Sequence, residues 1–583
     1  MTSSSPIGQK HPAAQTSRVT KPELLSPVTF SIAAILLVAA VFAVYSPSLN
    51  YQFVLDDHRF IDDPRIQSAG HLWEYFTNYV WAQFTGGPSS FYRPLFVLWM
   101  RLNFIFNETS AWGWHFFSIA KHVSVAILLG LLVWELLNDR IAILIAAALF
   151  ALHPAQTESV AWVSVPDPLL SAAVLATLLF YLKYAAPSPA ADTAGTTTSR
   201  RKSRKPSRAA VKSQSRTRWL VASLVCCLVA MFTKETAVVL LPTVFALALL
   251  TADRASDNRG TSTSEASTRA RLVFASRQTI PFLCVTAIYV VMRVNALGGR
   301  LGALTQHLTW HTLALSWPAT LWFYVKVLLW PVQSRAFADP TEIDAFSVRG
   351  VLLPAVALCC ATLILSAALF WAWRKAHGLP NPEALRIRCA LVLGTLILVL
   401  PIVLAINLNA LNPGDFLHGR YTYLPLTGLA LLLATGWHLT EKQRVPLLLA
   451  AGLLAVAFGV LTVKQENEWQ DDLTVFTVAH QIAPHNVPVS LSLARAHVQV
   501  ALDMSEKGRC DEALPVFDDV IHDYPQDWYA WAGRGECLIQ LNDLSKAEES
   551  LHRAADLSHA PQVTQEWQEV RAKLVGSTPA PRE

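Results

Sequence analysis

Five short polar clusters interrupt an otherwise apolar chain, and each carries side chains able to do chemistry. The first is Asp56-Asp57. Two adjacent carboxylates raise each other's pKa, which favours proton acceptance, and such a pair can also hold a divalent cation or cap a helix. Arg93, within Phe91-Tyr92-Arg93-Pro94-Leu95, sets a guanidinium in apolar surroundings. That suits a lipid phosphate, and equally a side chain snorkelling at an interface. His153 and Glu158 follow the run Ile141 to Leu152, which is too short to cross a bilayer alone. Both are therefore expected at membrane depth, facing protein or a wet cavity, where ionisable residues are functional by default. Lys234-Glu235 breaks two apolar runs, and its plain structural reading is a mutual salt bridge. His418, Arg420 and Tyr421 form the last cluster. Arg420 is a second phosphate-clamp candidate, while Tyr421 and Tyr423 also read as an interfacial aromatic girdle.

These clusters need a scaffold, and composition says which. Of 583 residues, 53% are hydrophobic and only 15% charged, against about a quarter charged in ordinary soluble domains. Apolar runs such as Ile32 to Val44, Val351 to Trp373 and Leu391 to Ile406 recur along the chain. Lipid offers backbone groups no partner, so such runs must be helices. The reading is all-α: a polytopic membrane bundle of about eleven spanning helices.

Basic residues stay on the cytoplasmic side and set orientation. The dense cluster Arg200 to Arg218 makes 187–218 a disordered cytoplasmic linker, and 252–278 is a second basic linker. The tail 1–27, with Lys10, Arg18 and Lys21, is read as cytoplasmic and disordered, and the first apolar run as a retained anchor. Spans are expected near 28–46, 114–137, 141–154, 168–185, 219–233, 236–252, 279–293, 350–373, 389–406, 424–438 and 446–463. Segment 313–330 is ambiguous: were it to span, the basic stretch Arg374 to Arg388 would be forced outside, so it is assigned to the interface or a re-entrant position. The outer face then holds the first loop, 47–113, every polar cluster above, and everything after 463.

The C-terminal portion, 464–575, repeats at a period of 34: Ala513 with Ala547, Phe517 with Leu551, Ala501 with Gly535. Trp531, Gly535, Ala547, Leu551 and Ala554 fall at tetratricopeptide offsets, and a partial unit precedes them at Phe476, Ala479 and Pro484. A short α-solenoid is expected, followed by a tail at 576–583, and a plain helical bundle is the alternative.

Taken in order, Asp56-Asp57, Tyr92-Arg93-Pro94-Leu95, His153-Pro154-x-x-Thr157-Glu158, Lys234-Glu235 and Arg420-Tyr421-x-Tyr423-Leu424-Pro425, with the repeats behind them, resemble the transmembrane-and-tetratricopeptide-repeat O-mannosyltransferases and their bacterial relatives. The chain departs from that pattern at Gln156, where relatives often carry His, and at Val165 to Leu170, where they often carry Gly-Arg-x-Asp/Glu-Leu-Leu. The resemblance implies a GT-C glycosyltransferase, similar to protein O-mannosyltransferases, using a polyprenyl- or dolichyl-phosphate sugar, often mannose. It implies transfer to a Ser or Thr hydroxyl with inversion, the acidic pair of the first outer loop carrying the base.

The expected site has Asp56 as base and Asp57 as its support, with Arg93, His153, Glu158, Lys234, Glu235, His418, Arg420 and Tyr421 around the donor and its phosphate. No cofactor is required; a divalent cation at the acidic pair is possible. Expected partners are the lipid-linked sugar, an acceptor protein or glycan held by the repeats, and membrane lipid, with no nucleic acid. The expected place is a bacterial inner membrane, or alternatively the endoplasmic reticulum. A lipid-oligosaccharide flippase and a repeat-bearing envelope scaffold are the other readings.

Overall fold

A computed structural model describes residues 25–83, 91–186, 208–257, 268–300, 307–333, 342–410, 417–440 and 443–577. The first part comprises α1 (Pro27–Tyr45), α2 (Asp56–Ile61), α3 (Pro64–Gln67), α4 (Glu74–Thr77), α5 (Pro94–Asn107), α6 (Ala111–Leu137), α7 (Arg140–Ala151), α8 (Thr157–Ala161) and α9 (Asp167–Ala185). Next come α10 (Arg208–Thr233), α11 (Leu240–Asp257), α12 (Thr268–Ala296), α13 (Trp310–Leu329), α14 (Leu353–His377), α15 (Asn381–Ala405), α16 (Tyr423–Leu439) and α17 (Arg444–Glu466). The chain finishes with α18 (Asp472–Ile482), α19 (Val487–Glu506), α20 (Cys510–Asp523), α21 (Trp528–Gln540), α22 (Leu544–Ser558) and α23 (Pro561–Ser577). Helices are the regular elements throughout the described residues, as the apolar runs required.

Ten of these helical segments are long and apolar enough to cross a membrane, or up to eleven if α7 and Pro154–Ala161, bent by 56°, make one span. Large apolar side chains point outward on α1 (Ile32, Ile35, Leu36), α14 (Leu363, Ile364, Phe370) and α17 (Leu449, Leu453, Val456), as lipid-facing helices require. This is a multi-pass membrane protein. The bend after α7 arises because Pro154 cannot continue the helix; His153 caps the new turn, its Nδ1 accepting from the Ala155 N–H at 3.2 Å.

The basic linker differs from expectation over its last part. Its Arg200 to Lys205 lie outside the described residues, as do Lys10, Arg18, Lys21 and Arg259, but α10 begins at Arg208, so the linker is helical from there. Ala, Arg, Lys and Gln are good helix formers, and the run leads straight into an apolar span.

At one end of the bundle, Asp139 caps α7 and lies 3.0 Å from His438 at the end of α16, and Lys375 donates to the Leu439 carbonyl. At the other end lie Asp56 and the first loop. Helix α13 meets this second end at both of its termini. Leu308 N–H donates to Asn409 and Leu313 packs with Leu408 and Leu417, while near the other terminus the Leu328 and Pro331 carbonyls lie 3.2 Å from His153 Nε2 and 2.7 Å from Gln465 Nε2. Although long and apolar enough to span, α13 makes contacts near both of its termini with segments at this one end of the bundle.

Helices α15 and α16 approach backbone to backbone. A Cβ on Gly428 would sit 2.5 Å from the Gly394 carbonyl, and one on Gly394 would meet Leu432 at 2.8 Å.

Beyond α17, α19 to α23 form antiparallel pairs. Gly533 accommodates Phe517, and Gly535 accommodates Leu551; a Cβ on either would meet those side chains at 2.6 Å. Ala513, Phe517, Ala547 and Leu551 are fully buried, as the 34-residue period anticipates. Helix α18 corresponds to the partial unit.

Candidate active site

The acidic pair is split by the backbone that presents it. Leu55, with φ 55° and ψ −122°, turns the chain sharply into α2; for a side chain bearing a Cβ this is a strained conformation. Asp57 turns inward and is 1% exposed. Its Oδ1 accepts from the Ser164 N–H at 2.9 Å and its Oδ2 from the Val54 N–H at 3.2 Å. Burial pushes its carboxyl up to about 7, although the Ser164 and Val54 bonds pull it down. The elevation thus comes from desolvation rather than from the neighbouring Asp56, contrary to the sequence argument. Asp56 turns outward, its side chain 42% exposed and 4.0 Å from Arg59. With both Asp57 oxygens taken by backbone donors, the two carboxylates do not face one ligand.

Around this turn, the other clusters converge as charge pairs. Glu158, buried on α8, has Oε1 2.8 Å from His418 Nδ1 and 3.8 Å from Arg420 Nε, and its Oε2 accepts the Arg420 backbone N–H at 2.9 Å. A Cβ on Gly419, between His418 and Arg420, would lie 3.3 Å from Glu158 Oε2, a tight approach. The Arg420 guanidinium lies over the Trp162 ring at 4.4 Å and near Tyr421 at 5.7 Å. It also lies in the field of Asp56.

Lys234 and Glu235 do not pair with each other as the plain reading had it. Extended backbone at Lys234 separates them. Lys234 Nζ donates to both Asp167 oxygens at 2.7 Å and lies 4.8 Å from the Tyr421 ring centre. Glu235 takes a two-pronged bond from Arg93, 3.1 Å from Nε and 2.7 Å from Nη2. Lys234 lies in the fields of both Arg93 and Arg420. Tyr421 therefore sits among three cations, each held by its own carboxylate, with Tyr324 edge-on at 6.4 Å.

His153 stands apart. Its nitrogens are engaged with the Leu328 carbonyl and the Ala155 N–H, and Phe458 packs against its ring at 4.5 Å. It braces the bend rather than facing the cation cluster.

Several residues of this site escaped the sequence reading. Asp167, between Pro166 and Pro168 at the start of α9, is the counter-charge of Lys234, and an acid at the end of an apolar span could have signalled it. Trp162 stacks on Trp469 at 5.9 Å and carries Arg420 on its ring. Asp472 accepts from Leu55 N–H, 417 residues away, and nothing local announces it. Among the described residues no group of three or more His, Cys, Asp or Glu side chains is arranged to hold a metal ion.

A tetratricopeptide repeat family model matches residues 505–574. Protein O-mannosyl-transferase TMTC3 of Mus musculus is 25% identical over 544 residues, covering 90% of this chain and 54% of that one, and the Homo sapiens TMTC3 gives the same figures. Protein O-mannosyl-transferase Tmtc1 of Drosophila melanogaster is 25% identical over 555 residues, covering 82% and 59%. The chain spans about half the length of these curated relatives. Among solved structures, ArnT from Cupriavidus metallidurans bound to undecaprenyl phosphate superposes with a TM-score of 0.38 at 13% identity, over 89% of this chain and 79% of that one, too loosely to carry an argument. Along nine-tenths of its length, then, this chain resembles the protein O-mannosyl-transferases of the TMTC type, with tetratricopeptide repeats at its C-terminal end.

Proposed function

We propose that this chain is a GT-C-type membrane glycosyltransferase. It moves a sugar, mannose in our reading, from a polyprenyl- or dolichyl-phosphate donor to a Ser or Thr hydroxyl of a protein, or to a glycan hydroxyl, with inversion. The observation that carries the reading is the gathering of the cations Arg93, Lys234 and Arg420 at one end of an apolar bundle, with Arg420 in the field of the outward carboxylate Asp56. The similarity to named O-mannosyl-transferases supports it.

In this mechanism Asp56 takes the proton from the acceptor hydroxyl as its oxygen bonds to the anomeric carbon. The carbon–phosphate oxygen bond breaks, and the lipid phosphate leaves with the electron pair. Arg93, Lys234 and Arg420, with His418, stabilise that leaving phosphate. Tyr421 offers a ring face to the sugar. Asp57, Glu158, Glu235 and His153 hold these groups in place. The chemistry requires no metal. The repeats hold the acceptor, and the whole site faces the non-cytoplasmic side of a bacterial inner membrane, or of the endoplasmic reticulum, with the N-terminus cytoplasmic.

The test is direct: purified full chain in lipid, radiolabelled polyprenyl-phosphate mannose and a Ser/Thr-rich acceptor, beside Asp56→Asn. The expected result is transfer by the wild type and a loss of about 10²-fold or more in the variant. No transfer by the wild type, or equal transfer by both, overturns the proposal.

A further inference from the structure

The C-terminal domain bonds the first loop at the strained turn before Asp56. Asp472, the first residue of α18, accepts the Leu55 N–H through Oδ1 at 2.8 Å, and its Oδ2 lies 3.1 Å from His58 Nε2. Leu55 is the residue at φ 55°. One carboxylate from the repeat side thus grips both the residue before the acidic pair and the residue after it.

The grip is reinforced nearby. Gln52 N–H donates to the Gln470 carbonyl at 2.9 Å, and Tyr51 Oη to Asn467 Oδ1 at 2.8 Å. Beneath them one apolar core mixes Val54 from the loop, Trp162 and Val165 from the turn before α9, and Trp469, Val475 and Ala479 from the junction and α18. Asp472 is not spent on capping its own helix, because the preceding Asp471 does that, accepting from Thr474 N–H at 2.7 Å. Its carboxylate is directed wholly at the loop.

We infer that Asp472 is a positioning residue for Asp56: the repeat domain completes the active site by holding the Leu55 turn that presents the base. Strain at a non-glycine residue persists only where its surroundings enforce it, and Asp472 is the side chain that bonds this residue's N–H. A load on the repeats, such as a bound acceptor, thereby has a covalent and hydrogen-bonded route to the base through α18. The inference rests on the glycosyltransferase reading for its activity readout, but not for its structural one.

The experiment compares four full-length proteins in lipid: wild type, Asp472→Ala, Asp472→Asn, and the double variant Asp472→Ala with Leu55→Gly. Two quantities are read, steady-state mannose transfer and hydrogen–deuterium exchange of the segment 53–60. Asp472→Ala is expected to lower kcat by about 10- to 100-fold with donor KM nearly unchanged, because a small misplacement of a catalytic group is that costly. Exchange at 53–60 rises in the same protein. Asp472→Asn, which keeps an acceptor for the Leu55 N–H, retains about half the wild-type rate or more. The double variant recovers most of the loss, since glycine adopts positive φ without the Cβ penalty; a residue needed only for folding of the repeats would show no such rescue. Wild-type kcat in Asp472→Ala, unchanged protection of 53–60, or a double variant no faster than the single one overturns the inference. Should the wild type transfer no sugar at all, the functional reading falls, and exchange at 53–60 alone decides this one.

Discussion

Glu158 accepts the backbone N–H of Arg420 at 2.9 Å although 262 residues of chain separate them. A buried carboxylate from the bend after α7 thus fixes the loop that carries His418, Arg420 and Tyr421. Removing it takes away the carboxylate that both His418 and Arg420 face in a largely buried setting. Glu158→Ala is expected to destabilise the protein by about 3–5 kcal/mol. Glu158→Gln, which keeps an acceptor, should cost clearly less. Thermal unfolding in detergent, with transfer assayed alongside, checks the ranking; equal Tm values for the two variants would refute it.

Arg420→Lys is expected to be far from conservative. The guanidinium rests on Trp162 and reaches Glu158 together, and an ammonium cannot reproduce that planar fit. The prediction is that polyprenyl phosphate inhibits the variant about 10-fold more weakly, with acceptor KM unchanged. Inhibition curves at fixed donor test this, and an unaltered curve would remove Arg420 from the phosphate site.

Asp57 should make stability fall as pH rises. Its folded carboxyl is raised by burial to about 7, against about 3.9 in an unfolded chain. Between those values the folded state keeps a proton that the unfolded state has lost. The stabilisation is therefore complete below about pH 4 and declines until about pH 7, by on the order of 4 kcal/mol. Unfolding measured from pH 4.5 to 8 should show a shallower slope in Asp57→Asn than in the wild type; parallel slopes would contradict the assignment.

Both ends of α13 make contacts at the end of the bundle that holds Asp56, and on the proposed orientation the repeats then share a side with the first loop. Epitopes placed at the extreme C-terminus and in the first outer loop should be reached from the same side of sealed vesicles, and one at the N-terminus from the other. Finding the C-terminal tag with the N-terminal one would end the sidedness proposal.

The divergence of Asp56 and Asp57 argues against a shared cation. Transfer is expected to survive excess chelator at about its untreated rate. Loss of activity on chelation, restored by a divalent ion, would show that a metal takes part.

The bundle was legible in the sequence because lipid enforces a simple rule: long apolar runs such as Val351 to Trp373 must be helices, and here one is. The repeats were legible because Gly535 and Leu551 obey a packing period. The polar clusters were visible as residue types, yet their pairings were not. Lys234 beside Glu235 invited a local salt bridge, whereas an extended backbone sends one to Asp167 and the other to Arg93. Adjacent Asp56 and Asp57 invited mutual electrostatics, whereas the turn at Leu55 buries one and exposes the other. What sequence conceals is which way each side chain is turned, and the backbone decides that through partners such as Ser164 and Asp472 that lie far along the chain.

The contact of Gly394 with Gly428 bears on how a prenyl tail could enter. At this crossing the two helices touch main chain to main chain, with the Leu432 side chain beside them, so the seam between α15 and α16 is tightly closed there. Since α16 continues directly from the His418–Thr422 loop, that loop rides on a rigid plate. If the proposed lipid-linked donor enters from the side, its portal is expected along another seam, with this plate as the fixed jamb.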